Sequence, residues 1–314
     1  MKKYSIGVDI GGTTVKIGLF EVEGKLIRKW EIPTNKADNG FHILTDIAES
    51  IDGVLKEKGI HVDEVQGIVL GVPGPVKSNG VVVKCVNLGW GIFNVEEALE
   101  KKTGLKVKAA NDANIAALGE LWQGGGKGYD NMVMVTLGTG VGGGVIIDGR
   151  ILSGVHGAAG EIGHINVNEK EEEVCGCGNT GCLEQYTSAT GIVRCAKKML
   201  EKTDMESSLR NIEEITAKDV FDKAKEGDKL ALDIVDDFGK TMGRALAQIS
   251  AVCDPEVFVI GGGVSKAGKI IIDSIADNYR QKAFHACRDA KFELALLGND
   301  AGIYGGAKLA QEIR

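Results

Sequence analysis

The residues with the clearest chemistry lie between Gly157 and Glu184, in GAAGEIGHINVNEKEEEVCGCGNTGCLE. Cys175, Cys177 and Cys182 follow His164 closely, and three thiols with one imidazole are the donor set of a tetrahedral zinc site. A zinc ion closed by four protein ligands has no open position, so its expected role is structural. A lone histidine is more often a hydrogen-bonded core residue, but three cysteines just downstream favour ligation. Glu161 and Glu184 bracket the cluster. Carboxylates pinned beside a metal form a rigid polar pocket suited to reading hydroxyl groups. With one ring nitrogen of His164 on the metal, the other is oriented towards that pocket.

A second group of residues can bind phosphate. GGTT (Gly11, Gly12, Thr13, Thr14) and GTGVGGG (with Gly138, Thr139, Gly140 and Gly142) offer backbone amides and hydroxyls, with no side chain blocking close approach. Neither is GxxxxGK[ST], and the third glycine turn, Gly261, Gly262 and Gly263, is not GxGxxG. Asp9 precedes the first turn and is placed to hold Mg²⁺ through water. Lys16 shares the strand face of Thr14, where it either neutralises phosphate or is simply solvated. In NDANIAALGELW a strand runs into Asn111 and Asp112, and a helix starts at once. Side chains at such a junction project into the crevice where open α/β sheets bind ligands. One of the two is expected to cap the helix, leaving the other for chemistry.

The elements that must position these groups follow from apolar periodicity. Strands at 4–9, 15–20 and 26–32 form a meander around the first glycine turn. A helix over 41–58 buries Ile43, Leu44, Ile47, Ile51, Val54 and Leu55. A strand at 65–72 ends in the rigid turn PGPV; a helix at 94–103 and a strand at 105–110 follow. Strands at 131–137 and 145–152 repeat the opening plan, which points to internal duplication. The charged run NEKEEE (168–173) is expected to be a solvated loop. The chain is then mainly helical, notably over 228–252, before a strand at 256–264, a helix at 268–284, a strand at 292–297 and a C-terminal helix. This alternation gives an α/β fold of two lobes sharing a cleft.

Bulk properties exclude several classes. The chain has 314 residues, 43% hydrophobic and 26% charged, as soluble globular proteins do. A net charge of -7 argues against a nucleic-acid partner. The apolar run from Met132 to Ile147 is broken by glycines and too short to span a bilayer, so no membrane association is expected. No targeting segment is evident: the short apolar stretch after Lys2 and Lys3 is interrupted by Asp9 and its glycines. Seven cysteines, three of them clustered, do not form a secreted disulfide framework, and a cytoplasmic location follows.

DIGGTT (9–14), LGTGVGGG with GRILSGVHGAAGEIGH (137–164), CGCGNTGCLE (175–184), NDANIAALGE (111–120) and the turn at 261–263 together resemble the signature segments of the ROK family of sugar kinases and repressors. The resemblance runs along nearly the whole chain and is strongest to the ATP-dependent glucokinase branch. It implies the actin-like, hexokinase-type (ribonuclease H-like) fold, with a small lobe of 1–112 plus 302–314 and a large lobe of 113–301. In that fold the two meanders grip phosphates, the third turn sits at adenosine, and sugar occupies the interlobe cleft. Position by position, the resemblance implies Asp112 as catalytic base and Asn111, Glu161, His164 and Glu184 as sugar contacts, with Gly74 and Asn87 as further contributors. The implied reaction is Mg²⁺- and ATP-dependent phosphorylation of a hexose 6-hydroxyl, with glucose favoured. Family kinases for N-acetylmannosamine tend to carry His where this chain has Glu161, whereas N-acetylglucosamine, mannose and fructose stay open, as does polyphosphate as donor. Many members carry Lys at the place of Thr14, so positive charge at the first turn must come from Lys16 or elsewhere. ROK kinases are often dimers or tetramers, and a homo-oligomer is expected. The family's repressors carry a helix-turn-helix ahead of the first phosphate loop, and the loop here begins at Asp9. An actin-like ATPase would not need the His/Cys cluster beside paired carboxylates.

Overall fold

Burial along β1 (Tyr4–Ile10), β2 (Thr14–Glu21) and β3 (Leu26–Pro33) explains the first meander. Branched residues such as Ile6, Val8, Val15 and Ile17 are buried, while β3 alternates half-buried and exposed positions as an edge strand does. The three strands pair antiparallel in sequence order. The computed structural model describes residues 2–77, 79–83 and 85–313.

After β3 comes a short turn, α1 (Ala37–Gly40), in which Asp38 and Asn39 take left-handed conformations. Helix α2 (Ile43–Lys58) starts two residues later than its periodicity predicts, buries the expected apolar face and ends on the left-handed Gly59. Strand β4 (Val65–Val72) is buried along almost its whole length and runs parallel to β1. The hairpin β5 (Val81–Val82) and β6 (Phe93–Asn94) leads into α3 (Val95–Thr103), capped by Asn94. Then β7 (Val107–Asn111) joins β4 in parallel, and α4 (Asp112–Gln123) begins without a loop. The first sheet therefore has the order β3-β2-β1-β4-β7.

The second half repeats the plan. Strands β8 (Met132–Leu137), β9 (Val141–Ile147) and β10 (Arg150–Ile151) lead to the helices α5 (Glu184–Thr187), α6 (Ala189–Lys202), α7 (Ala217–Lys225) and α8 (Lys229–Cys253). After them come β11 (Val257–Gly261), α9 (Lys269–Lys282), β12 (Lys291–Leu294) and α10 (Ala301–Ala310). The order β10-β9-β8-β11-β12, with β11 parallel to both neighbours, matches the first sheet strand for strand. That correspondence is what a duplicated meander followed by two parallel strands produces.

Two expectations need correction. GTGVGGG is not one turn: only Gly138 to Gly140 turn, and Gly142, Gly143 and Gly144 lie in β9. Their lack of side chains serves packing, since a Cβ on Gly143 would sit 2.6 Å from the Gly160 carbonyl oxygen and one on Gly142 would sit 2.6 Å from Thr136 Oγ1. NEKEEE is not wholly solvated either. The Glu171 carboxylate is ion-paired to Arg194 at 2.7 Å and accepts from the Tyr186 hydroxyl at 2.5 Å, which pulls its pKa down to about 2.

The chain forms two compact units. One holds the residues up to Gly128, Gly144–Ala159 and the residues from Leu297 onward; the other holds Tyr129–Gly143 and Gly160–Leu296. These bounds differ from 1–112 with 302–314 and 113–301 mainly because α4 belongs with α10. The two helices touch backbone to backbone: a Cβ on Gly119 would lie 2.1 Å from the Ala301 carbonyl oxygen, and one on Gly305 would lie 1.8 Å from that of Ile115. Among the described residues no helix is long and apolar enough to cross a membrane.

Candidate active site

In the first unit, three parallel strands bring two carboxylates to one edge. Asp9 on β1 is in register with Gly71 on β4, and Val72 is in register with Asn111 on β7. Gly71 supplies the space between them: a Cβ there would lie 3.5 Å from Asp9 Oδ1 and 3.7 Å from the Asp112 Cα. The opposite side of Asp9 is closed by α10, where a Cβ on Gly302 would come within 2.7 Å of the Asp9 Cγ. Burial, reinforced by the neighbouring charge of Asp112 and opposed by Lys16, lifts the Asp9 pKa to about 6.

Asn111 takes the capping role expected at this junction. Asn111 Oδ1 accepts the Asn114 amide at 3.2 Å and caps α4, so its side-chain amide nitrogen is the part not used by the cap. Asp112 opens the helix, and its Oδ1 accepts the Ala113 amide at 2.8 Å. Gly74 follows Pro73, whose carbonyl accepts from the buried Cys85 thiol at 3.0 Å, and Asn87 lies two residues beyond that cysteine. Burial, with the charge of Asp112, pushes the Cys85 thiol up.

The first glycine turn is shaped by hydrogen bonds to its carbonyls. The Thr34 amide donates to the Thr13 carbonyl at 2.9 Å and the Thr34 hydroxyl to that of Gly11 at 2.7 Å. The Gly11 amide is spent on the Thr14 carbonyl, whereas those of Gly12 and Thr13 donate to no group among the described residues. Lys16 lies opposite Asp9 on β2 and donates to the Asn299 carbonyl at 2.9 Å.

In the second unit the turn at Gly138–Gly140 has the same construction. Ala189 donates its amide to the Gly138 carbonyl at 2.8 Å, and the Thr190 hydroxyl donates to that of Thr139 at 2.8 Å. The amides of Thr139 and Gly140 donate to no other group among the described residues. Two turns whose carbonyls are occupied and whose amides are left over are suited to anions. Thr34 and the pair Ser188 and Thr190 carry no motif of their own. The only available signal was a hydroxyl residue at a strand end and at a helix start.

The third glycine turn is adjacent to the second. Gly261 pairs with Thr136 at the ends of parallel β11 and β8, and Gly262, with φ +85°, packs on Leu137 so tightly that a Cβ would lie 2.4 Å from its carbonyl oxygen. Nothing lies within 4 Å of a Cβ on Gly263, so that side is open.

Glu184 ties the second turn to the cysteine loop. Its Oε2 accepts the Val141 amide at 2.8 Å, its Oε1 lies 3.8 Å from the Cys175 thiol, and a Cβ on Gly140 would strike Oε2 at 2.1 Å. A side chain at position 140 would have to displace the Glu184 carboxylate from the Val141 amide. The cysteine loop is a tight knuckle closed by the Cys175 amide to the Asn179 carbonyl at 2.7 Å, and it returns through Gly181 (φ +72°), whose Cβ would meet the Asn168 carbonyl oxygen at 2.0 Å. Arg194 braces the knuckle by also pairing with Glu173 at 2.6 Å.

His164, Cys175, Cys177 and Cys182 do converge: their donor atoms all lie within 4.8 Å of one another. The Cys177 and Cys182 sulfurs are 3.6 Å apart, close to the ~3.8 Å edge of a tetrahedron with Zn–S bonds of ~2.3 Å. His164 Nδ1 is buried with no hydrogen-bond partner among the described residues, as suits a nitrogen that ligates a metal. Burial and the neighbouring thiols push Cys182 up to about 12, while the Asn179 amide draws Cys177 down. The other imidazole nitrogen, Nε2, lies 3.8 Å from the Glu161 carboxylate, which is largely open to solvent.

Paired glycine turns on duplicated meanders, a carboxylate beside the first and a strand–helix acid on the same edge define an actin-like ATPase or sugar-kinase fold. The ROK family model matches residues 5–313, and the chain belongs to that family. It is 44% identical to a glucokinase of Halalkalibacterium halodurans over 99% of this chain and 96% of that protein. It is 37% identical to a glucokinase of Thermotoga maritima, over 98% of this chain and 97% of that one. The solved structure of a ROK glucokinase from Streptomyces griseus in complex with glucose and AMPPNP superposes with a TM-score of 0.74 at 33% identity, covering 98% of this chain and 99% of that one.

Proposed function

We propose that the protein is an ATP-dependent hexose 6-kinase acting on glucose. The observation that carries this reading is the shared strand edge of Asp9 and Asp112, beside a glycine turn with unspent amides. Asp112 accepts the proton of the sugar 6-hydroxyl as that oxygen bonds to the γ-phosphorus and the bond to the ADP oxygen breaks. General-base catalysis of this kind contributes typically ~10²–10⁴-fold. The amides of Gly12, Thr13, Thr139 and Gly140 stabilise charge on the phosphoryl oxygens, where phosphoryl transfer needs it most. Mg²⁺, when bound with ATP, supplies further charge neutralisation near Asp9.

Glucose is favoured by Glu161 and His164, whose carboxylate and Nε2 lie 3.8 Å apart and offer complementary partners for adjacent hydroxyls. Asn111, Glu184, Gly74 and Asn87 complete the proposed sugar contacts. Gly261, Gly262 and Gly263 are assigned to the adenosine side. His164, Cys175, Cys177 and Cys182 are assigned to a structural zinc that fixes the imidazole. Seven unpaired cysteines suit a reducing, cytoplasmic setting. The strong identity to two glucokinases over nearly full length supports the substrate.

The test is phosphorylation across a sugar panel with MgATP, wild type beside Asp112→Asn. Glucose should give the highest kcat/KM, and Asp112→Asn should lose at least about 100-fold in kcat with ATP binding retained. Equal activity of the variant would remove Asp112 as base; another preferred hexose would change the substrate alone.

A further inference from the structure

We propose that Lys36 supplies the positive charge of the first phosphate turn and contacts the terminal phosphate of the nucleoside triphosphate. The inference rests on the kinase reading above and adds a residue to it. Thr14 leaves the turn without a cation of its own, and Lys16 is directed elsewhere, in register with Asp9 and bonded to the Asn299 carbonyl at 2.9 Å.

Lys36 is brought to the turn by the chain that precedes it. Two residues earlier, Thr34 is bonded twice to the turn, through its amide to Thr13 and its hydroxyl to Gly11. Two residues later the left-handed Asp38 and Asn39 begin a reversal that closes with the Gly40 amide on the Lys36 carbonyl at 3.3 Å. The result is measurable at Gly12. A Cβ built there would lie 3.7 Å from Lys36 Nζ and would meet no other atom within 4 Å. The ammonium therefore stands over the face of the turn that has no side chain and whose amide is unspent.

Lys36 is exposed and makes no ion pair or side-chain hydrogen bond among the described residues. An acid in contact would have consumed its charge; water does not. A phosphate oxygen approaching the Gly12 amide meets amide and ammonium together, as it would in a loop bearing its own lysine.

The experiment compares wild type with Lys36→Met and Lys36→Arg, measuring glucose phosphorylation and the affinities for MgADP and a non-hydrolysable ATP analogue. The methionine variant should lose about 10- to 100-fold in kcat/KM for MgATP, with KM for glucose unchanged. Its binding loss should fall on the triphosphate analogue and spare MgADP, and arginine should restore part of the loss. Thermal stability should not move, because the side chain is exposed and unpaired. Activity of Lys36→Met within twofold of wild type, or equal weakening of both nucleotides, would overturn the proposal. If wild type phosphorylates no sugar the kinase reading fails instead, and the comparison of the two nucleotides still decides the role of Lys36.

Discussion

Asp9 stores a cost that a ligand can relieve. Its carboxyl is shut between Gly71 and Gly302 and shares an edge with Asp112, which together raise its pKa from 3.8 to about 6. A carboxyl whose pKa is raised on folding binds its proton more tightly in the native state. Stability therefore falls as pH climbs from about 4 to 6, and the full penalty, roughly 3 kcal/mol, persists above that window. Asp9→Asn keeps the shape and removes the charge. Measured by thermal unfolding without Mg²⁺ or nucleotide, the variant should match wild type near pH 4 and exceed it by several degrees at pH 7.5. The same substitution should abolish MgATP-dependent turnover. A Tm difference independent of pH would show that the carboxyl is not strained by its surroundings. This is the usual conflict between stability and function, placed in a single side chain.

At the scale of elements, glycine decides how close the helices come. Helix α10 lies against β1 and α4 with backbone in contact, because Gly7, Gly119, Gly305 and Gly306 place no carbon between them. That closeness is what sets the start of α10 against Asp9. Gly305→Ala would put a methyl group 1.8 Å from the Ile115 carbonyl oxygen, so α4 and α10 must separate. The expected loss is about 3 kcal/mol or more, with activity falling as the Asp112 end of α4 shifts. Gly53→Ala is the control: position 53 lies within α2, is exposed and has nothing within 4 Å of its Cβ. There alanine should gain about 0.5–1 kcal/mol from helix propensity. Chemical denaturation of the pair should move the midpoints in opposite directions, and a tolerated Gly305→Ala would mean the helices are not tightly seated.

At the scale of the whole molecule, the duplicated plan was legible because it depends on local signals: apolar runs, and glycine with threonine between them. Strand β4 matches its predicted limits, 65–72, and α8 departs by one residue at each end. The His/Cys cluster was legible because its donors lie close in sequence. What escaped was carried by pairings between distant residues, such as Thr34 on the first turn, Arg194 on Glu171 and α4 on α10. Such contacts leave no periodicity behind. The cysteine knuckle combines both kinds, since its ligands are local but its bracing comes from Arg194 and Glu184. If zinc holds it, the metal contributes folding energy directly. Metal analysis should then find one zinc per chain, and stripping it with a chelator should cost more than about 3 kcal/mol, seen as a Tm lower by roughly 6–12 °C. Because His164 Nε2 faces Glu161, the stripped protein should lose glucose affinity before nucleotide affinity. Cys177→Ser, at an exposed ligand, should reproduce both effects without a chelator. A metal-free protein with unchanged Tm and glucose KM would show that thiol packing alone holds the knuckle.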